Sequence, residues 1–571
     1  MTTDMKEHIP VKGEVVSLTS LVAQALGENL VPPWAEGVVI RDVCDDSRQV
    51  TPGALFVAVT GTRADGATFM GDAATRGAAA IVVGGARIGD CAGAPAGGVP
   101  GGPVVITVPD ARHALARLAS VYFGLVQIQA DGQLNVTGVT GTNGKTTVAY
   151  MLRSILRAAD RRAAMLGTIE YDLAGRRMLA ALTTPGPVAL TRHLVEAHAA
   201  GARYVVMEVS SHSLDQRRTD GIRFSTAIFT NLTQDHLDYH KTTEDYLRAK
   251  RRLFDSLSSD AVAVVNADEP VSERLVENCR ARVITYGMDT NMSQHSCGTG
   301  VSPRPPDCGT GVSPVSSPPR RRCHKRRRHK SSVIRAKRTD VRGDIVETTG
   351  SGSRFVLTYQ SEHAEIHTPL VGEHNVANAL AAGAAGLALG LDLSTIQRGL
   401  AALAYVPGRL QRVDTGSLGF DVFVDYAHTD DALRHVLRAV RPLTRGRLWC
   451  VFGCGGDRDS TKRPLMARAV ADGADAFIIT GDNPRTEDPM AIIADIERGL
   501  SAEDRQRAMT VPDRAEAIAR GVDQLARGDV LVIAGKGHED YQILGTEKVH
   551  FDDVEVARDA IESRRKPKAE S

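Results

Sequence analysis

Short runs of β-branched and apolar residues alternate with stretches of helical period along most of the chain, which predicts strands each followed by a helix. Near the N-terminus the pattern gives a helix over Leu18–Leu26, strands over 38–40 and 54–59, a helix over 69–76 leading to a strand over 79–83, and a helix over 111–123. The Gly, Ala and Pro content of 84–103 marks a loop. Farther on, strands are predicted over 135–139, 163–171, 204–210, 225–231 and 261–266, then a hairpin of 355–359 with 364–367 and a long Ala/Leu helix opening at 372–378. After 406, apolar runs of the kind that fill parallel sheets cover 422–426, 448–453, 476–480 and 530–534. This is an α/β chain with mostly parallel sheets covered on both faces. We divide it into a smaller N-terminal α/β domain over 1–128, a central domain over 129–405 and a C-terminal Rossmann-like domain over 406–571.

Composition narrows the function classes. A chain of 571 residues is too long for one core, and its 42% hydrophobic content is ordinary for a globular protein. A net charge of +1 offers no global attraction to nucleic acid or membrane. The eight cysteines are scattered without a Cys-x-x-Cys pair, which argues against a disulfide framework or zinc ribbon and for a reducing compartment. Residues 1–15 lack the apolar core of a signal peptide and no apolar run is long enough to span a bilayer, so a cytoplasmic protein is expected. We also expect a monomer. One segment breaks the pattern: 297–303 recurs as 308–314, and eight of the eleven residues 320–330 are Lys or Arg. Such a stretch cannot bury a core, so 289–340 reads as a disordered insertion, with an anion-binding patch as the functional alternative. His295, Cys297, Cys308, Cys323 and His324 match no zinc spacing.

The strongest chemical signal is 136–147, Val-Thr-Gly-Val-Thr-Gly-Thr-Asn-Gly-Lys-Thr-Thr, a strand that gives way to a Gly-rich turn and then a helix. Backbone N–H groups of Gly141, Thr142, Asn143 and Gly144 and of the helix start can cradle phosphates; Lys145 adds a point charge and the Thr146 hydroxyl, next to Thr147, can ligate Mg²⁺. Val139 stands where the common phosphate-loop pattern has glycine, so the loop is a variant. Glu208 ends a strand opposite it, where an ionised carboxylate needs a cation such as Mg²⁺. The Asp- and His-rich segment 231–240 contains His236 and His240, and by itself it can equally be a capping turn with exposed imidazoles. Lys250 alone is one base on a basic helix face, and Asp46-Ser47-Arg48 alone has the composition of a turn.

Gly-Thr-Asn-Gly-Lys-Thr-Thr at 141–147 resembles the ATP loop of the Mur ligases and their folylpolyglutamate synthetase relatives. Further segments extend the resemblance over almost the whole chain outside the insertion and both termini. It implies a central P-loop ATPase-type domain that uses ATP and Mg²⁺, with Asn375 near the adenine, Arg409 on the phosphates and Asp425 on the ribose. His236 would join Glu208 and Thr146 at magnesium, and Lys250 would be carbamylated, turning a cation into an anion that helps hold the metal. In the branch that handles muramyl tripeptides, Ser47 belongs to the block that holds the uridine diphosphate, Thr183, Thr184 and Ser210 hydrogen-bond the sugar-peptide near Gln216, and Arg218 pairs with its carboxylate.

Asp482-Asn483-Pro484-Arg485 marks, in this family, the members that add meso-2,6-diaminopimelate. The physics agrees, because a fixed guanidinium can grip the second carboxylate of that amino acid and would repel the ammonium of lysine. Arg458 would add a second cation, Gly535 lines the same edge and Glu539 would accept the distal ammonium. The implied activity is ATP-dependent amide ligation of diaminopimelate to a UDP-linked muramyl dipeptide through an acyl phosphate, with Lys145, Lys250, Arg409 and His236 serving the phosphoryl chemistry. Two rivals stay open: a ligase of the same fold adding lysine or glutamate, and a P-loop protein acting on nucleic acid through 320–330.

Overall fold

Three sheets carry the structure, and in each the apolar runs lie side by side. In this computed structural model, which describes residues 15–27, 30–61, 65–85, 102–233, 237–288 and 339–565, the first sheet is parallel, in the order Asp42–Cys44, Ala54–Ala58, Ala80–Gly84, Val104–Val108. The central sheet has eleven strands. Its parallel middle runs Ala163–Leu166, Tyr204–Glu208, Asn135–Thr140, Thr226–Phe229, Val262–Asn266, Arg282–Met288, Val341–Thr349, and antiparallel strands extend both edges. The third sheet orders Asp421–Asp425, Val530–Ala534, Leu448–Cys454, Ala476–Gly481 and Ala508–Thr510 in parallel, with Gln411–Val413 antiparallel at one edge. Nearly every residue of these inner strands is buried, as parallel sheets covered on both faces require.

Helices cover the faces. Lys145–Ala158, Glu373–Ala388 and Leu393–Ala402 share one core with the central sheet, including Val148, Leu152, Ile155, Leu380 and Ile396. Their approach is close: a Cβ on Gly399 would stand 2.4 Å from the Ile155 Cα, and Ser154 Oγ donates to Gly399 O at 2.6 Å. The opposite face is continuous with the N-terminal domain, since Leu118 and Tyr122 of Ala111–Tyr122 belong to the same apolar cluster as Leu194, Val205 and Ala227. That leaves the loops at the carboxyl ends of the strands free to face ligands.

Two expectations change, and one pairing comes in addition. The predicted strand over 163–171 breaks after Leu166 and resumes as Glu170–Asp172 running the other way, because Gly167 and Thr168 turn toward Glu208. The strand over 204–210 stops at Glu208, after which Ser210 caps the short helix Ser211–Asp215 through Ser213 N. Arg282–Met288 and Val341–Thr349, on either side of the insertion, pair in parallel with Tyr286 opposite Val341. The repeat, the basic run and the His/Cys set of 289–338 lie outside the described residues, as does His236.

At the carboxyl ends of two strands of the third sheet, Arg514 and Asp553 form a fully buried pair, Nε to Oδ1 at 2.8 Å and Nη2 to Oδ2 at 2.7 Å, and Arg514 Nη2 also donates to Ala534 O at 3.0 Å. Removing one member leaves a buried charge uncompensated. Asp553→Ala is expected to cost about 3–5 kcal/mol in urea unfolding followed through Trp449 fluorescence; an unchanged midpoint would show that solvent reaches Arg514.

Candidate active site

The Asn135–Thr140 strand enters the loop 141–144 at the centre of the sheet, and the loop's shape depends on two glycines. Gly141 has φ +148° and a Cβ there would lie 1.9 Å from Thr230 Oγ1; Gly144 has φ +86° and a Cβ would lie 2.3 Å from Asn378 Oδ1. Residues after the neighbouring Thr226–Phe229 strand fasten the loop: Thr142 N donates to Asn231 O, Asn143 N donates to Asn231 Oδ1 and Thr230 Oγ1 donates to Asn143 O. The first N–H groups of Lys145–Ala158 have no acceptor within their helix and point out of its N-terminus. Lys145 Nζ rests over the loop carbonyls, 3.0 Å from Gly141 O and 2.8 Å from Thr142 O. Thr142, Thr146 and Thr147 are buried around it. The arrangement is an anion cradle.

Glu208 stands across from the cradle and is 1% exposed. Its oxygens accept from Thr146 Oγ1, at 3.0 Å to each, from Thr168 N at 2.8 Å and from Thr168 Oγ1 at 3.1 Å. Among the described residues no lysine or arginine forms an ion pair with it, so a buried carboxylate and a hydroxyl face the phosphate site with oxygen donors alone. That donor set suits a hard cation such as Mg²⁺. Arg409, from the C-terminal domain, brings Nη2 within 3.4 Å of Thr146 Oγ1 and lays its guanidinium 5.0 Å from the centre of the Tyr426 ring. Lys250 is 1% exposed on Thr243–Asp255; its Nζ donates to Gly141 O at 2.8 Å and sits 4.2 Å from the centre of the Tyr246 ring. His240 is buried too, with Nε2 2.9 Å from Ser211 Oγ.

Asp425 brackets the hinge, accepting from Leu410 N at 2.7 Å and Ala427 N at 2.9 Å; burial pushes its carboxyl upward, opposed by the Arg409 charge and those two amides. Asn375 is 3% exposed, donates to Val371 O at 2.8 Å and accepts from Asn378 Nδ2 at 3.2 Å, which places Asn378 between it and Gly144.

A chain of contacts leads from Glu208 toward the N-terminal domain. Thr184 Oγ1 donates to Glu208 O at 2.9 Å and accepts from Ser210 N at 3.1 Å, while Thr183 Oγ1 lies 3.1 Å from Thr168 Oγ1. Arg218 donates to Thr184 O at 2.7 Å and grips Gln216 Oε1 through Nε and Nη2. Asp45, whose carboxyl is pushed up by burial, feels the Arg218 charge; Ser47 is buried beside it in a single 3₁₀ turn.

The third sheet contributes a separate pocket at its strand ends. Arg485 is held at φ +54°; its N donates to Ile543 O at 3.2 Å and its Nη1 to Gly456 O at 2.6 Å. Pro484 O would lie 1.9 Å from a Cβ on Gly456, which explains that glycine. Asn483 Nδ2 donates to Glu539 Oε2 at 3.1 Å, Asp482 and Gly535 meet at the same edge, and Arg458 is exposed at the rim. Gly408, at φ +62°, packs directly on the 535–539 loop, so that a Cβ there would lie 2.2 Å from His538 N, and the segment carrying Arg409 abuts that loop without a gap.

Family models cover the chain in three consecutive pieces: the Mur ligase family catalytic domain over 40–123, the Mur ligase middle domain over 139–299 and 306–386, and the Mur ligase glutamate ligase domain over 408–537. The UDP-N-acetylmuramoyl-L-alanyl-D-glutamate--2,6-diaminopimelate ligase of Solibacter usitatus is 40% identical over 551 residues, 96% of this chain and 98% of that protein. The ligase of the same name from Gloeobacter violaceus is 41% identical over 92% of this chain and 94% of its own length. A solved structure of a ligase so named superposes with a TM-score of 0.64 at 31% identity, covering 97% of this chain and all of that one.

The chain belongs to the Mur ligase family.

Within this Mur ligase the structure brings together most residues singled out by sequence. The cradle with Glu208, Lys250 and Arg409 forms one cluster, Thr183, Thr184, Ser210, Gln216 and Arg218 form a second, and 482–485 with Gly535 and Glu539 form a third. Thr168, Asn231, Tyr246 and Lys536 had not been singled out; for Thr168 the available signal was the Gly-Thr pair interrupting an otherwise apolar run. Gly144→Ala adds a Cβ at positive φ against Asn378 and is expected to cost about 1–2 kcal/mol in urea unfolding and, beyond that, to weaken ATP binding to the folded protein about tenfold or more in calorimetry. Unchanged affinity would show that the loop relaxes at no cost.

Proposed function

We infer that this Mur ligase adds meso-2,6-diaminopimelate to UDP-N-acetylmuramoyl-L-alanyl-D-glutamate at the expense of ATP, a step of peptidoglycan precursor synthesis. The observation that carries the reading is the left-handed Arg485, whose guanidinium is anchored on Gly456 O in a pocket that also holds Glu539, on a chain about 40% identical to ligases of that name. A structure of the related MurF ligase of Thermotoga maritima contains ADP, which accords with ATP at the 141–147 cradle.

The groups assigned above divide the work. Lys145 and the helix N-terminus hold the β- and γ-phosphates, and Arg409 reaches them from the closing domain. Asn375 is assigned to the adenine side and Asp425 to the ribose. Arg218, with Thr183, Thr184, Ser210 and Gln216, orients the dipeptide so that its terminal carboxylate attacks the γ-phosphorus, releasing ADP and forming an acyl phosphate. Ser47 holds the uridine diphosphate end. Arg485 and Arg458 take the distal carboxylate of diaminopimelate and Glu539 its distal ammonium, leaving the other amine to attack the acyl carbon and expel phosphate. Closure of the third domain on the second brings amine and acyl group together.

Thr146 and Glu208 are the groups that would hold Mg²⁺, with His236 as a further ligand, and the metal would supply charge neutralisation on the phosphates. Lys250 is assigned to carbamylation: its ammonium gives up one proton, the neutral amine adds to CO₂ with loss of a second, and the resulting anionic carbamate would favour the metal in place of repelling it. Three functional domains divided near 128 and 405, a monomeric state and a cytoplasmic location complete the reading; among the described residues no helix is long and apolar enough to cross a membrane.

ATP-dependent phosphate release by the purified protein with the uridine-linked dipeptide tests it. Release is expected with meso-diaminopimelate and not with L-lysine, and Arg485→Ala is expected to lower kcat/KM for diaminopimelate about a hundredfold, as loss of the half-buried guanidinium assigned to the distal carboxylate implies. Release with lysine instead would overturn the selection argument, and no release with either would overturn the amino-acid ligase.

A further inference from the structure

Lys536 lies between the two loops of the amino-acid pocket and has no part in the roles just assigned. It is 0% exposed. Its Nζ stands 3.3 Å from Asn483 Oδ1, 3.4 Å from Glu539 Oε2 and 3.6 Å from Asp482 Oδ1, with the Tyr541 ring centre 5.5 Å away. A buried ammonium is tolerated only where anions and acceptors surround it, and here all of them come from the pocket itself. Asp482 Oδ1 is buried without a hydrogen-bond donor among the described residues; its charge is met by the ion pair with Lys536 on one side and by the Arg514 guanidinium on the other, and the lone pairs of Oδ1 stay open. Asn483 ties the arrangement together: Oδ1 also accepts from Ile543 N at 2.9 Å while Nδ2 holds Glu539.

We propose that Lys536 is a positioning residue for the amino-acid substrate: its buried ammonium locks the 482–485 loop to the 535–539 loop and fixes Asp482 and Glu539 at the spacing that receives a substrate ammonium. This rests on the reading of that pocket as the amino-acid site. Without Lys536, Asp482 and the half-buried Glu539 lose the cation they share, Glu539 keeps only Asn483 and Asp482 only the Arg514 charge, and the spacing of the ammonium site is no longer fixed. None of the Lys536 side-chain contacts given above involves the ATP cradle, and Gly408 meets the 535–539 loop through its backbone at 537–538, so loss of the Lys536 side chain is expected to fall mainly on the second half-reaction.

The two halves can be measured apart. Lys536→Met removes the charge and Lys536→Gln keeps one hydrogen-bond donor without it. For each variant, KM for diaminopimelate and for ATP is compared with wild type, and the acyl phosphate formed without amino acid is trapped with hydroxylamine. The expected result is a rise in KM for diaminopimelate of about 30-fold or more, the scale for truncating one partner of a buried charge pair, with KM for ATP and hydroxamate yield little changed. An unchanged KM for diaminopimelate in a variant that still forms hydroxamate overturns the proposal. So does a parallel loss of both half-reactions in both variants, which would make Lys536 a general structural residue. Wild-type protein that forms hydroxamate yet releases no phosphate with diaminopimelate overturns the pocket reading itself, and the role of Lys536 with it.

Discussion

A carboxylate buried at the end of a central strand organises the catalytic face. Glu208 is almost wholly removed from water, and ionised it would be untenable without the hydroxyls of Thr146 and Thr168 and the Thr168 amide. Meeting that demand bends the neighbouring strand at Gly167, where a Cβ would sit 2.5 Å from Glu208 Oε1, and ties the first turn of Lys145–Ala158 to the adjacent strand end. The Glu208 backbone carbonyl then takes Thr184, which begins the path to Arg218 and the N-terminal domain. One side chain thus couples the nucleotide cradle to the place where the acceptor carboxylate is read.

The second coupling runs across the domains. Thr146 donates to Glu208 and accepts from Arg409, so a single hydroxyl is shared by the central domain's carboxylate and the C-terminal domain's cation. Arg409 follows Gly408, whose positive φ and contact with His538 bind the hinge to the loop that carries Lys536 and Glu539. Asp425 fixes the same hinge through two backbone amides. Nucleotide and amino-acid sites are therefore joined by a short rigid segment, which is how a two-step reaction can be kept in register.

Elements set by local pattern were legible from sequence. Leu18–Leu26 and Val530–Ala534 lie at the predicted boundaries, and the strand, turn and helix of the phosphate loop follow from glycines at positions where a side chain would collide with Thr230 or Asn378. Elements set by distant partners were not. The break at Gly167-Thr168 answers to Glu208, 40 residues away; the Gly-Thr pair marks an interruption but does not say that the chain reverses there. Arg282–Met288 and Val341–Thr349 pair in parallel across a long insertion, so no local turn links the two strands in sequence. Lys536, flanked by Gly535 and Gly537, has the local look of a solvated loop lysine; its burial depends on side chains from 482–483 and 539–541 folding over it. Site chemistry was readable where motifs carried it, and the supporting residues, which act through tertiary contacts, were not.

Arg485 occupies the left-handed region at φ +54°, where a residue with a Cβ pays about 1–2 kcal/mol that glycine would not. The surrounding backbone enforces this geometry through Ile543 O and Gly456 O. On the function proposed above, choice of substrate is stored as conformational strain that stands against folding stability. Drift toward glycine or asparagine here would then relax the chain even as it erased discrimination, so at this position a search guided by stability alone would move the enzyme toward promiscuity.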